Sequence, residues 1–358
     1  MAAITFSSAG ATGHSAYHAA TAVPPSFKAF RICRGERVRA GIANVSLDEL
    51  TPGEVVLRSA YAGLNYKDAL ATTDHGNVIR HFPRVGGSDV TGVVVDSTDP
   101  RFRPGDAVMA YAGGLGVDED GGFSEYVRLR AARVMPVPDG LDLLEAATLG
   151  VAGFTAALAV HLLQESGMRP EAGSVLVNGA TGGVGSMAVD MLSRLGYRVS
   201  AMSGKVDHDD MLRRLGAAEV IRSGSIEDCA KPLERARWSG AIDSVGGTQL
   251  AWLTRTVQPR GVIASVGNAG GNELVTSVLP FILRGIRLIG VNVSFYGDLE
   301  ATLWQRLATD LKPAHLGESA EIVALDQLPD RIGRMLAGLA TGRTVVGFQR
   351  PHGIAFTD

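Results

Sequence analysis

The run Val175-Leu176-Val177-Asn178-Gly179-Ala180-Thr181-Gly182-Gly183-Val184-Gly185 constrains this chain more than any other stretch. Apolar β-formers lead into a glycine-rich turn, and a helical pattern begins directly after it. A pyrophosphate is held by backbone N–H groups at a helix N-terminus with no side chain in the way. Gly182 and Gly183 permit that approach, and Gly185 lets the helix pack on the strand. The strand–turn–helix context makes the turn more than a lone glycine cluster. Around it, short apolar strands alternate with helices. The strands are predicted at Ser174–Asn178, Arg198–Met202, Glu219–Ile221, Gly240–Asp243, Val262–Val266 and Arg287–Val293. Helices are predicted at Val184–Leu195 and Asp209–Leu215. This alternation indicates a parallel six-stranded, doubly wound sheet covered on both faces.

The second of these strands ends at Ser203-Gly204-Lys205. A site for NAD usually places a carboxylate there, on the ribose hydroxyls. A hydroxyl, a glycine and a cation point instead to a 2′-phosphate, and so to NADPH as cofactor. Further candidate cofactor contacts are Thr181 and Val184 in the turn region, and Val245 after the fourth strand. Gly267, Asn268 and Ala269 after the fifth strand and Val291 at the sixth complete the set, because ligands sit outside the carboxyl ends of such strands.

Before the parallel region the pattern differs. Strands are predicted at Phe27–Arg34, Glu54–Tyr61, Val90–Asp96, Asp106–Ala110 and Phe123–Leu129, separated by turns such as Thr51-Pro52-Gly53 and Arg103-Pro104-Gly105-Asp106. That reads as a compact β-barrel-like domain. The tail adds helices at Leu299–Leu311 and Leu328–Leu339 and a strand at Thr344–Phe348, and is expected to return to the first domain. Residues 1–26, rich in Ala, Ser, Thr and Gly, read as a flexible extension without the basic residues of a targeting segment. The domains are then 27–150 with 295–358, and 151–294.

Composition narrows the classes. A formal net charge of −3 gives no argument for nucleic acid or an anionic membrane. The apolar run Ala146–Val160 falls short of the roughly 18 residues of a membrane span, so it is read as a buried helix. With 2 cysteines, Cys33 and Cys229, the chain can build neither a disulfide framework nor a four-cysteine zinc lobe. That usage suits a cytoplasmic protein. His14 and His18 share i, i+4 spacing but lie in the extension and read as a solvated tail.

Seven segments in chain order stand out: Leu64–Leu70, Val78–Pro83, Asp99–Phe102, Ala152–Ala156, Gly240–Asp243, Leu279–Arg284 and Thr341–Thr344. With them, the chain from Phe27 to Gln349 resembles the medium-chain dehydrogenase/reductase superfamily, with a GroES-like β domain and an inserted Rossmann domain. Within it, the sequence is similar to the zinc-independent, quinone-oxidoreductase-like branch and its acrylyl-CoA reductase subfamily. The resemblance implies NADPH-dependent reduction of the C=C bond of acrylyl-CoA or a related 2-enoyl thioester. Quinone or enone reduction is the alternative, and a non-catalytic NADPH-binding protein is a reading of another class. It also implies a homodimer through sheet edges.

Zinc dehydrogenases of this superfamily bind catalytic metal through an early-loop Cys and a Gly-His-Glu segment. Here Asn65 stands at the first place and Gly87-Ser88-Asp89 at the second. Zinc needs about three protein ligands, and this loop offers no such set, so no metal is expected. The carbonyl would then be polarised by hydrogen bonds. Asn65 is expected to donate its amide to substrate or cofactor and Tyr66 its phenol. Arg343 is expected to face the cleft and bind a carbonyl or carboxylate. Thr155 is expected to touch the cofactor at the domain junction. Lys67 and Asp68 read as a surface pair or a loop-orienting pair, and Arg80 as a surface residue or a CoA-phosphate contact. The chain departs from the subfamily at Val85-Gly86-Gly87 and at Asn292–Tyr296, which bear on acyl preference.

Overall fold

The computed structural model describes residues 22–226 and 231–348. Cys229, His14, His18 and most of the extension lie outside these residues. The N-terminal part contains β1 (Phe27–Arg34), β2 (Val38–Val45), β3 (Val55–Leu64), β4 (Arg84–Val85), β5 (Asp89–Ser97), β6 (Ala107–Tyr111), β7 (Tyr126–Leu129) and β8 (Met135–Pro136), with helix α1 (Tyr66–Leu70) after β3. Strand β2 was not among the predicted strands. It is a hairpin edge whose Arg39 and Gly41 break the apolar alternation, and it pairs along the whole of β1. Phe123 falls outside β7. It is a buried core side chain packed edge-on against Phe30.

Helix α2 (Leu143–Glu165) extends the apolar run at both ends. By length and composition it passes as a membrane span, but 89% of that window is buried inside the protein. Its side chains Phe154, Ala156–Val160 and Leu163 form the core shared with the parallel sheet. The helix is broken at Gly150, whose φ of 43° and ψ of −143° suit only glycine.

The parallel sheet holds β9 (Val175–Val177), β10 (Val199–Ser203), β11 (Ala217–Arg222), β12 (Trp238–Asp243), β13 (Val257–Ser265) and β14 (Arg287–Gly290), in the order β11-β10-β9-β12-β13-β14. This is the strand order of a dinucleotide-binding Rossmann sheet. Helices α3 (Gly183–Arg194), α4 (Asp209–Arg214), α5 (Gly247–Thr256) and α6 (Leu279–Arg284) connect it. Strand β14 stops at Gly290, short of the predicted Val293, because Val293–Phe295 turns into a 3-10 helix capped by the Asn292 side chain.

In the tail, α7 (Glu300–Leu307) packs on α2, with Trp304 5.9 Å from Phe154 between ring centres. This stretch leans on the shared core and also on β6, since Trp304 packs edge-on against Tyr111 (5.3 Å between ring centres) and Glu300 accepts from the Tyr111 hydroxyl (2.8 Å). Strand β15 (Ala320–Val323), helix α8 (Leu328–Leu336) and β16 (Arg343–Gly347) do return, giving the order β15-β16-β3-β5-β6-β8. Strand β16 runs antiparallel to β3, so Thr344 faces Leu64. That pairing carries Arg343 to the start of the α1 loop. The fold is thus α/β, a GroES-like β unit joined to a Rossmann sheet.

Candidate active site

The phosphate turn has the predicted form. Gly182 caps α3 without a side-chain hydrogen bond, so the first-turn N–H groups are left for an anion. A Cβ on Gly185 would stand 2.3 Å from the Gly179 carbonyl oxygen, so the helix sits directly on the turn. Thr181 and Ser203 are buried, with their hydroxyls 3.3 Å apart, while Gly182, Gly183 and Val184 are half-exposed. Asp243, fully buried, accepts from Asn178 (2.6 Å), Ser265 (3.1 Å) and the Gly246 N–H, and ties together the ends of β9, β12 and β13. The Gly270 N–H donates to the Val245 carbonyl (2.7 Å), bringing the two following loops together. The buried Ser244 hydroxyl has no hydrogen-bond partner among the described residues. An open helix N-terminus and an orphaned hydroxyl at the strand ends fit a dinucleotide. Asn268 and Ala269 are exposed there, and Val291 lies just past β14, its N–H donating to Ser265.

At the corner after β10, the structure adds a residue that the sequence reading missed. Arg222, paired with Ser203 across β10–β11, donates to the carbonyls of Lys205 (2.9 Å) and Val206 (3.2 Å) and pairs with Asp209 (2.7 Å). Lys205 itself reaches toward the tail, donating to the Ala340 carbonyl and to Thr341 Oγ1 (3.3 Å). Burial, and then Arg334, push its pKa down.

The second half of the site is a buried polar cluster. Asp89 is 1% exposed. It accepts from the Gly63 N–H (2.5 Å), Asn65 Nδ2 (2.9 Å), the Val151 N–H (3.2 Å) and Arg343 Nη2 (3.4 Å). Arg343, 2% exposed, spends its other donors on Thr148 O (2.9 Å), Leu64 O (2.8 Å), Asn65 Oδ1 (2.8 Å) and Ala147 O (3.5 Å). Asp68 takes the Asn65 N–H (2.8 Å) and the Ser88 hydroxyl (3.1 Å). Burial, then the neighbouring Asp89, push the Asp68 carboxyl up to about 7. The backbone approaches so closely that a Cβ on Gly63 would lie 2.0 Å from Arg343 Nη2 and one on Gly150 2.5 Å from Asp89 Oδ2. Gly150 breaks α2 because Asp89 occupies the space a side chain would need.

This geometry corrects several expectations. Asn65 has no amide hydrogen to offer a substrate, because Asp89 and Ser88 (3.0 Å) already take both. Arg343 does not face an open cleft. Its five N–H groups are all committed inside the protein, which lets a buried guanidinium exist at all. Asp68 belongs neither to a surface pair nor to Lys67. Thr155, 7% exposed, turns its hydroxyl hydrogen to the Val151 carbonyl (2.7 Å) within its own helix. Tyr66, at the first position of α1 and half-buried, is the remaining catalytic candidate, and its phenol has no hydrogen-bond partner among the described residues. Arg80 is exposed.

Sequence reasoning gives Asp68 no role beyond a surface or loop-orienting pair, of which its bond to the Asn65 N–H matches the second, and it passes over Ser88 and Asp89 as functional residues. The signal that was present is a carboxylate and a hydroxyl at the place of a Gly-His-Glu segment. The donor set does not fit zinc. It offers an amide, a hydroxyl and two carboxylates, Asp89 bound to a guanidinium and Asp68 held by the Asn65 N–H and the Ser88 hydroxyl, where zinc takes thiolate, imidazole or free carboxylate. A fixed organic cation stands beside the Asp89 carboxylate instead.

The chain matches two domain families, "Alcohol dehydrogenase GroES-like domain" over residues 51–139 and "Zinc-binding dehydrogenase" over residues 183–309. It belongs to the medium-chain dehydrogenase/reductase superfamily. Among its relatives is the putative quinone oxidoreductase YhfP of Bacillus subtilis, 43% identical over 86% of this chain and 94% of that one. The crystal structure of that protein with NAD bound superimposes with a TM-score of 0.86 over 90% of this chain and 99% of that chain. The acrylyl-CoA reductase AcuI of Ruegeria pomeroyi is 38% identical over 87% of this chain and 94% of that one. The yhdH oxidoreductase of Salmonella enterica in complex with NADP shares 37% identity and a TM-score of 0.86, over 90% of this chain and all of that chain.

Proposed function

We propose that the protein is an NADPH-dependent oxidoreductase that reduces the C=C bond of a 2-enoyl-CoA such as acrylyl-CoA. The observation that carries this reading is a dinucleotide turn beside a polar cluster whose donors do not fit zinc, in a chain 38% identical to an acrylyl-CoA reductase. When bound, NADPH would supply the hydride for the β-carbon of the thioester. The first turn of α3 receives the pyrophosphate, and the corner of Ser203, Lys205 and Arg222 receives the 2′-phosphate. Negative charge then develops on the thioester carbonyl oxygen. The Tyr66 phenol donates to that oxygen, and a fixed donor of this kind is worth roughly 10²–10³ in rate. Asn65, Asp89 and Arg343 hold the loop that carries Tyr66. The α-carbon takes its proton from a side chain or water.

The name of the 43%-identical relative favours a second reading, quinone or enone reduction on the same scaffold. Steady-state assays with acrylyl-CoA, crotonyl-CoA and 1,4-benzoquinone separate the two. Turnover of a thioester supports the enoyl-CoA reading, and turnover of quinone alone overturns it. Turnover of none leaves the non-catalytic reading. We place the enzyme in the cytoplasm as a homodimer. Strand β14 is the edge of its sheet, and Ile282, Leu283 and Phe295 are exposed beside it, which supports pairing with a second copy. Light scattering on the eluted protein reads the mass.

A further inference from the structure

The loops of the nucleotide side meet the catalytic cluster at consecutive residues, Ala340-Thr341-Gly342-Arg343. The Lys205 ammonium holds the Ala340 carbonyl and Thr341 Oγ1, and that hydroxyl also lies 3.4 Å from His208 Nε2. Gly342 donates its N–H to the carbonyl of Thr181 in the phosphate turn (2.8 Å). Its φ is 60°, and a Cβ there would stand 2.7 Å from the Ser319 carbonyl oxygen, so this crossing is built for glycine. Arg343 follows directly. Its Cδ abuts Gly183, where a Cβ would come within 3.0 Å, and its guanidinium holds Asn65 and Asp89.

We infer that residues 340–343 form a strap through which the 2′-phosphate end of the cofactor positions Asn65, Asp89 and the catalytic loop. The inference rests on the proposed placement of the 2′-phosphate at Ser203 and Lys205. Lys205 has three N–H donors, and the strap uses two, so one remains for a phosphate oxygen. An anion bound there restrains the ammonium, and with it Ala340 and Thr341. Because the peptide units are planar, restraint at 340–341 passes to the Gly342 N–H and the Arg343 Cα with few free torsions between. NADH fills the turn at 179–185 equally well but leaves the Lys205 corner unloaded. The strap makes cofactor discrimination a matter of catalytic-loop order as well as of affinity. Lys205 is then a positioning residue for chemistry at the other end of the cofactor.

The first test needs no substrate. Hydrogen exchange is followed by mass spectrometry on the full chain, free and saturated with NADPH or NADH. NADPH is expected to slow exchange in residues 62–68 and 341–345 by about tenfold more than NADH, a coupling of ordinary size. Both cofactors should protect 179–186 alike. Lys205→Met is expected to give NADPH the pattern of NADH, with the melting temperature of the free protein unchanged. Thr341→Val should weaken the NADPH-specific protection in part. Equal protection of 62–68 by the two saturating cofactors overturns the inference, as does NADPH-specific protection that survives Lys205→Met. In turnover, with whichever acceptor is reduced, kcat at saturating NADPH should exceed kcat at saturating NADH, and Lys205→Met should remove the difference. Equal kcat values in the unmodified protein overturn it too. Failure of both thioesters to react would overturn the enoyl-CoA reading alone, because the exchange measurement does not depend on the acceptor.

Discussion

The two halves of the site solve opposite problems. The phosphate turn leaves its donors open: α3 has no side-chain cap, and the Ser244 hydroxyl has no partner among the described residues. The cluster around Asp89 leaves nothing open, since the guanidinium of Arg343 and the amide of Asn65 are both saturated. Open donors recognise a ligand. Closed networks fix geometry, and they are costly to break because a buried charge then loses its partner. Residues that look catalytic by type, an arginine and an asparagine, therefore belong to the closed half, and the half-buried Tyr66 becomes the donor to test.

The largest effect should come from breaking the closed half. Arg343→Met leaves Asp89 buried without its cation, and should cost about 3–5 kcal/mol in urea unfolding. Adding Asp89→Asn should recover much of that stability, since removing both charges is far cheaper than removing one. Catalysis should stay impaired in the double variant if the cluster positions the loop. Recovery of both stability and rate would mean the pair serves the fold alone.

Next comes the open donor. Tyr66→Phe should lower kcat by roughly 10²–10³ with little change in NADPH affinity. A drop of less than twofold would remove Tyr66 from the chemistry.

An effect smaller per pH unit follows from Asp68, whose carboxyl is pushed up to about 7. The folded state holds this proton where the unfolded chain has released it. Stability is therefore full below about pH 4 and falls as pH rises toward 7, at up to ~1.4 kcal/mol per pH unit, then levels off. Asp68→Asn should remove this slope from unfolding curves taken between pH 4 and 7. An unchanged slope would assign it to other groups.

The smallest effect probes the open half. Gly185→Ala must displace the turn, because its Cβ would sit 2.3 Å from a backbone oxygen. NADPH binding, measured by fluorescence titration, should weaken by about tenfold, or 1.4 kcal/mol.

Legibility in the sequence divided along the same line. The turn, its strand and its helix are contiguous, and each piece carries its own local signal of apolar run, glycine and helical period. The β10 corner was legible as a cation near the strand end, but Arg222 was not, since it arrives from the adjacent strand through β10–β11 pairing. Boundaries moved where a side chain intervened, as at Asn292, which caps a turn that ends the strand early.

The sequence by itself determined the Rossmann sheet, the phosphate turn and the lack of cysteine ligands, because these follow from neighbouring residues and from counts. Only the tertiary structure decided what Asn65 and Arg343 do. Asp89, Gly150 and Arg343 come from β5, the break in α2 and the start of β16. Their partnership exists only once antiparallel pairing of β16 with β3 brings Arg343 beside Leu64 and Asn65. A guanidinium's role is set by which acceptors surround it, and those acceptors lie as far as 279 residues away along the chain.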